Sequence, residues 1–341
     1  MNGANSGSDP QSHGDAGVTI DTCGLTDIGR ARESNQDQFL VGTRRLSVCS
    51  TSTSLPHDPP LTFFGEAESE ILIVADGMGG HAAGERASQL AVQFLARRLA
   101  DPTRPTLNAD SWDGIEQARW MQTLLRNTHS MILRQAQQNP EQFGMGTTLT
   151  MAEIIWPYLS VLHAGDSRCY LVRDGNTQRL TTDHTLARRM VDAGDLTPEE
   201  ESASRWSNVL WNVLGGQLEG DLVAQVERVE LLVGDTVVVC SDGLHRYVND
   251  DALALMVSEG DDAQSICQEL IRVANEGGGE DNITVIVSRM LPRQRQSTGA
   301  TTLVDETLMG ETFDSIEIDD GTLATLSQFD TTVDESAEEE R

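Results

Sequence analysis

Ile71-Leu-Ile-Val-Ala-Asp76-Gly-Met-Gly-Gly-His-Ala-Ala-Gly-Glu85 is the stretch on which the reading of the fold turns. Five apolar residues in a row, Ile71 to Ala75, predict a strand buried on both faces. Asp76 stands where that strand should end. Gly77, Gly79 and Gly80 allow a tight turn and keep side chains clear of whatever binds there. Ala87, Leu90, Ala91, Phe94, Leu95 and Leu99 recur at helical spacing and predict a helix over 82–100. A carboxylate on a rigid strand end, in a glycine-lined opening, suits a hard metal ion or a phosphate.

Gly77-Met-Gly79-Gly-His-Ala82 also fits the dinucleotide fingerprint, which requires a second parallel strand after the helix. Asp101-Pro-Thr-Arg-Pro105 follows instead, with no strand beyond it, and this argues against a nucleotide site. Further along, Asp235–Gly243 is another buried strand ending in Asp-Gly, and Gly277-Gly-Gly-Glu-Asp281 sets a third carboxylate behind three glycines. Between these lie a long helix over about 112–138, two strands (Leu149–Trp156 and Tyr158–Ala164) joined at Pro157, and a polar knot at Gly165-Asp-Ser-Arg168. A strand at Cys169–Arg173, a helix over 184–195, a mobile polar segment at 196–208, a helix over 261–275 and a last strand at 283–288 complete this part. Upstream, Val18–Gly24 reads as a strand; Arg32, Asn35 and Asp37 crowd together before apolar Phe39-Leu40-Val41, and 50–60 reads as a loop.

The 341 residues, 38% apolar, suffice for one large domain or two. Net charge is −30, from 54 acids against 24 bases, and every base is an arginine. Segment 296–341 holds 13 of the acids and one arginine, so the acidity extends over the whole chain and argues against a nucleic-acid backbone as partner. Five scattered cysteines without a Cys-x-x-Cys pair suggest neither a disulfide scaffold nor a zinc site, and point to a reducing compartment. With no signal-like start and no apolar window of membrane length, the expectation is a cytoplasmic protein without membrane association. Composition further predicts a disordered N-terminus at 1–17 and a disordered acidic tail at 291–341.

Hard divalent ions prefer carboxylate, carbonyl and water oxygens. Two such ions can share and deprotonate a water for in-line displacement at phosphorus, and an arginine can take the phosphate with its planar fork. Asp76, Asp242, Asp281, Asp37 and Arg32 supply that list of residues. Spacing alone does not show that they converge, and each aspartate taken singly reads first as a turn residue or cap.

Six motifs stand in one order: Thr26-Asp-x-Gly-x-x-Arg32-x-x-Asn-Gln-Asp37, Ala75-Asp-Gly-Met-Gly-Gly-His81, Gly146-Thr-Thr148, Gly165-Asp-Ser-Arg168, Cys240-Ser-Asp-Gly243 and Glu280-Asp-Asn282. Together, over residues 18–290, the chain resembles the metal-dependent Ser/Thr protein phosphatases of the protein phosphatase 2C family in their bacterial form. The resemblance implies an α+β fold, a four-layer αββα sandwich of two antiparallel sheets flanked by helices. It implies a catalytic domain at 18–290 that hydrolyses phosphoserine and phosphothreonine monoesters through a water shared by two Mn²⁺ or Mg²⁺ ions. On the matching positions, Asp76 would bridge the metals and Gly77 would lend its carbonyl. Asp242 and Asp281 would complete one shell, Asp37 would hold metal-bound water and Arg32 would bind the substrate phosphate. Asp166 would join Asp242 on a third ion, and 181–216 would form a flap beside the site. Substrates would be phosphorylated proteins, products of a Ser/Thr kinase.

Four features depart from the family pattern. Met78 stands where many eukaryotic members have a histidine general acid, leaving His81 as a neighbouring candidate, and Gln36 stands where many have glutamate. The flap carries Ser204-Arg205 and Ser207 in place of a His-Pro and arginine, and 43–70 is an insertion. Met78 and Gln36 keep open an alternative, a metal- or phosphopeptide-binding module without turnover. In the tail, Thr302 and Thr331 each precede an aspartate by three residues, so a phosphothreonine reader is a conceivable partner.

Overall fold

The computed structural model describes residues 18–49, 62–101, 114–216 and 222–293. The expected N-terminal segment, residues 294–341 of the tail and the 50–60 loop lie outside the described residues. In chain order the strands are β1 (Val18–Asp27), β2 (Asp37–Cys49), β3 (Thr62–Met78), β4 (Gly146–Thr147), β5 (Leu149–Ile155) and β6 (Tyr158–Ala164). They continue with β7 (Arg168–Arg173), β8 (Asn176–Arg179), β9 (Leu214–Gly215), β10 (Gln225–Glu230), β11 (Thr236–Cys240) and β12 (Ile283–Pro292). The helices are α1 (His81–Leu99), α2 (Gly114–Gln138), α3 (Leu186–Ala193), α4 (Pro198–Glu201), α5 (Asp242–His245), α6 (Asp250–Glu259) and α7 (Ala263–Gly277).

One sheet runs β1-β12-β11-β7-β8; the other runs β10-β6-β5-β3-β4-β9, with β2 on β3. All pairings are antiparallel. The expected burial of Ile71–Ala75 on both faces is met by strand alternation. Leu72 and Val74 pack with Val237, Val239 and Ile286 of the opposite sheet, forming the layer between the sheets. Ile71, Ile73 and Ala75 face the other way, onto Ala87, Leu95 and Met121 of α1 and α2. On the far side, Val238, Cys240 and Val285 meet Leu253, Ile266 and Leu270 of α6 and α7. The order of layers is therefore αββα, as the resemblance implied, and each sheet exposes apolar residues on both faces because each is covered twice.

Several local expectations are corrected. β3 does not end at Asp76 but runs on to Met78, because β4 pairs with its last two residues. The 43–70 insertion lengthens β2 and β3 into a ribbon on either side of the undescribed 50–61, with a register shift between Arg45 and Ser47. Asp242 begins α5, in place of closing a strand. The polar stretch 196–208 contains the short helix α4, opened by a Thr197–Glu200 capping box. Neither α6, capped by the Asn249 side chain, nor edge strand β10 was expected. Among the described residues, no helix is long and apolar enough to cross a membrane.

Candidate metal centre

The site lies where the ends of the two sheets meet. In the β2–β3 register Asp37 stands directly opposite Asp76. Like charges in that position are unfavourable, so these two carboxylates are held there by the surrounding structure. Asp76 is clamped through its backbone: its N–H donates to Thr148 Oγ1 (3.0 Å), and its carbonyl accepts from Thr148 N (2.8 Å) and Thr147 Oγ1 (2.9 Å). The Gly146-Thr-Thr148 motif is thus the brace of Asp76. A side chain at Gly77 would strike the Gly84 carbonyl of α1, so this glycine is required by close helix–strand packing.

Asp37 is 2% exposed. Its Oδ2 accepts from Ser241 Oγ and Thr284 Oγ1, both at 2.7 Å, and its Oδ1 is buried without a partner. Asp242 is also buried; Arg246 donates to its Oδ2, while Oδ1 meets no amide, guanidinium or hydroxyl donor. Asp281 accepts from Arg32 at Oδ2 (2.6 Å) and from the Asn282 N–H at Oδ1 (2.9 Å), with Arg246 3.8 Å from Oδ2. Asp166 is buried after Gly165, whose φ of +120° excludes most other residues. The Asp166 carbonyl accepts from His245 Nε2 (3.0 Å).

Arg32 sits on the 28–36 loop, its side chain 45% exposed. Asn282 pins that loop: its Nδ2 donates to the Ile28 and Ser34 carbonyls (2.9 and 3.0 Å), and its Oδ1 accepts from Gln36 N (2.8 Å). Sequence reasoning had Asn282 bracing Asp281; the structure shows that it chiefly braces the loop carrying Arg32.

Arg32, Asp76, Gly77, Asp166, Asp242 and Asp281 line one cleft of about 450 Å³. Asp37 lies beneath it, reaching toward Ser241 and Thr284 of the other sheet. All seven residues singled out in the sequence therefore gather at one end of the sandwich. Burial is the main cause of their electrostatics: it pushes Asp76 and Asp166 well above the usual carboxylate range and raises Asp242, with neighbouring carboxylates adding to each. Asp37 is pushed up to about 7 by burial and by Asp242 and Asp281, against the two hydroxyls that hold it down.

Among the described residues, no three His, Cys, Asp or Glu side chains already converge as a ligand shell. The carboxylates are drawn instead toward Arg32 and Arg246. Two buried carboxylate oxygens without donors, in a donor set made only of oxygen, still fit a hard divalent cation. Met78, 36% exposed, and Gln36 also line the cleft, and Gln36 Nε2 donates to the Gly80 carbonyl (3.1 Å). The His81 side chain lies outside the described residues.

Sequence reasoning missed three residues. Ser241 lay unnoticed inside its own motif. Thr284 was read only as the end of Asn282-Ile-Thr284, where a hydroxyl alternating with strand core was the available signal. Arg246 was passed over, although its place four residues after Asp242 at a helix start is the spacing of an ion pair.

A family model described as protein phosphatase 2C matches residues 53–286. The protein phosphatase PhpP of Streptococcus pneumoniae is 32% identical over 266 residues, which are 78% of this chain and 96% of that protein. The serine/threonine protein phosphatase PstP of Mycobacterium tuberculosis is 37% identical over 223 residues; the match takes in 65% of this chain but only 40% of that relative's length. A solved PstP catalytic domain in complex with two manganese ions is 30% identical and superposes with a TM-score of 0.62, over 81% of this chain and all of that one. With the layered fold, the six ordered motifs and the carboxylate cleft, these likenesses identify the chain as a member of the protein phosphatase 2C family.

Proposed function

We propose that this chain is a Mn²⁺- or Mg²⁺-dependent protein phosphatase acting on phosphoserine and phosphothreonine. The observation that carries the proposal is the pair of buried oxygens without hydrogen-bond partners, Asp242 Oδ1 at the cleft it shares with Arg32 and Asp37 Oδ1 beneath that cleft. Asp76, Asp242 and Asp281, with the Gly77 carbonyl, would hold two ions. Divalent ions bound there acidify water and offset the charge of the transferring phosphoryl group. Asp37, with Oδ2 fixed by Ser241 and Thr284, accepts a hydrogen bond from water at Oδ1. Arg32 is exposed enough to swing from Asp281 to an incoming phosphate, which takes its fork in two parallel hydrogen bonds. Met78 has no proton to give, so the departing alkoxide takes its proton from water.

Substrates on this reading are proteins phosphorylated by a Ser/Thr kinase, met in the cytoplasm; thiol states of Cys23, Cys169, Cys240 and Cys267 suit that compartment. The decisive experiment is hydrolysis of a phosphothreonine peptide with and without Mn²⁺, by wild type and Asp242→Asn. Turnover that needs both the metal and Asp242 supports the proposal. Peptide binding without any turnover would instead favour the binding-module alternative that Met78 and Gln36 suggest.

A further inference from the structure

The chain answers part of its own buried negative charge with Arg246. This residue follows the short helix α5, one turn after Asp242, and is more than half buried between the carboxylate cleft and a second cavity of about 470 Å³ on the flap side. Its guanidinium donates to Asp242 Oδ2, lies 3.8 Å from Asp281 Oδ2 and is also held by the charge of Asp166. Asp166 and Asp242 line both cavities and repel each other. A cation shared by those two carboxylates would have to bind beside the Arg246 guanidinium, which lines both cavities with them. Arg246 takes Asp242 Oδ2 and leaves only Oδ1 open.

We propose that Arg246 is a built-in counter-cation of the cleft, standing in for a divalent ion shared by Asp166 and Asp242 and thereby limiting how many ions the chain binds. The inference rests on the metal-dependent reading above. Like charges a few ångströms apart in a partly desolvated cleft oppose one another strongly, so an ion entering beside the guanidinium must displace it or bind weakly. Arg246 also fixes the Asp242 carboxylate so that Oδ1, not Oδ2, is presented to the other ions, as an outer partner orients a ligand.

The test is calorimetric titration of Mn²⁺ into the full chain stripped of metal, with no substrate present. Arg246→Gln is expected to bind one more Mn²⁺ per chain, or its weakest ion at least about ten-fold tighter, the scale of effects produced by partners of metal ligands. Arg246→Lys keeps the charge and should titrate as wild type. Adding Asp166→Asn to Arg246→Gln should remove the gained ion, whereas Asp166→Asn alone should leave the number of ions unchanged. An Arg246→Gln protein with the wild-type titration, or a weaker one, overturns the inference; so does loss of an ion from Asp166→Asn alone, an arm that decides the matter even if Arg246→Gln fails to fold. A wild-type chain that takes up no Mn²⁺ overturns both this inference and the phosphatase reading. Mn²⁺ binding unaltered by Arg246→Gln, beside normal metal-dependent turnover, removes this inference alone.

Discussion

The chain contains two Asp-Gly turns that look alike and are used differently. Asp76-Gly77-Met78 ends a strand of one sheet; Asp242-Gly243-Leu244 opens a helix after a strand of the other. In each pair the glycine is there for close packing. A side chain on Gly77 would strike the Gly84 carbonyl, and one on Gly243 would strike the Asn282 carbonyl. The third residues part company: Met78 is 36% exposed in the cleft, while Leu244 is 1% exposed in the core under α6 and α7. So do the charges. Asp242 has Arg246 beside it, whereas burial and four other carboxylates raise Asp76 with no cation among the causes. On the proposed reading the first turn serves chiefly the ions, whereas the second also serves the fold that carries it.

The largest expected effect comes from the aspartates. Asp76→Asn should lower Mn²⁺-dependent kcat/KM on a phosphothreonine peptide by on the order of 10³-fold or more, a loss of about 4 kcal/mol of transition-state stabilisation. The same change should raise the melting temperature of the metal-free protein at neutral pH, because it removes a carboxyl whose ionised form is opposed by burial and by four neighbouring carboxylates. Asp242→Asn should cost comparable activity without that gain, since it strands Arg246. Equal thermal shifts for the two variants would erase the distinction between the turns.

Next come the supporting residues. Leu244→Ala should destabilise by about 3 kcal/mol, the ordinary cost of emptying a packed leucine site, and Gly243→Ala by a similar amount through its clash with backbone. Both losses should appear in urea denaturation with and without Mn²⁺. If Leu244→Ala altered turnover while leaving stability intact, the division between a ligand turn and a fold turn would be wrong.

A pH series sharpens the contrast at a smaller scale, about 1.4 kcal/mol per pH unit for each proton displaced. Asp37, Asp76, Asp166 and Asp242 are raised in the folded state, so metal-free stability from this cluster is present at acid pH and lost as pH climbs toward and through 7. Buried His163, His245 and His184 act oppositely: burial lowers them to about 3, 3 and 4, so their contribution is lost as pH falls below the ordinary histidine range. Mn²⁺ must displace protons from the carboxyls, and it should therefore raise the melting temperature more at pH 7.5 than at pH 5.5. An equal rise at both values would mean that the cluster is not protonated in the free protein.

What could be read without coordinates follows from range. Ile71–Ala75, Thr236–Cys240 and the apolar stripe of α1 declare themselves by local periodicity, and the aspartates by their strand-end glycines. Gln225-Val-Glu-Arg-Val-Glu230 does not alternate: its two valines stand three apart among charged residues, so this edge strand carries no period-2 signal and resembles a loop. The convergence of Asp37 with Ser241 and Thr284, more than 200 positions away, depends on how two sheets meet, and no local pattern encodes it. The resemblance supplied that convergence for the aspartates. It did not supply Arg246, whose ion pair is a feature of this chain's own spacing, or Asn282 as the pin of the Arg32 loop.

The smallest predicted effect concerns the residue that separates the turns most plainly. Met78 lines the cleft, yet a thioether can neither donate a proton to a departing alkoxide nor hold a phosphate. If the chain's residues leave that proton to water, Met78→Ala should change kcat on a phosphothreonine peptide by less than about three-fold, under 1 kcal/mol. Its effect on an aryl phosphate, whose leaving group needs no proton, should be the same. Met78→His places an imidazole at that position of the cleft rim and should raise turnover of the peptide but not of the aryl ester. A fall of ten-fold or more on Met78→Ala would show that this side chain shapes the substrate pocket, and the first turn would then combine ligand and packing duties as the second does.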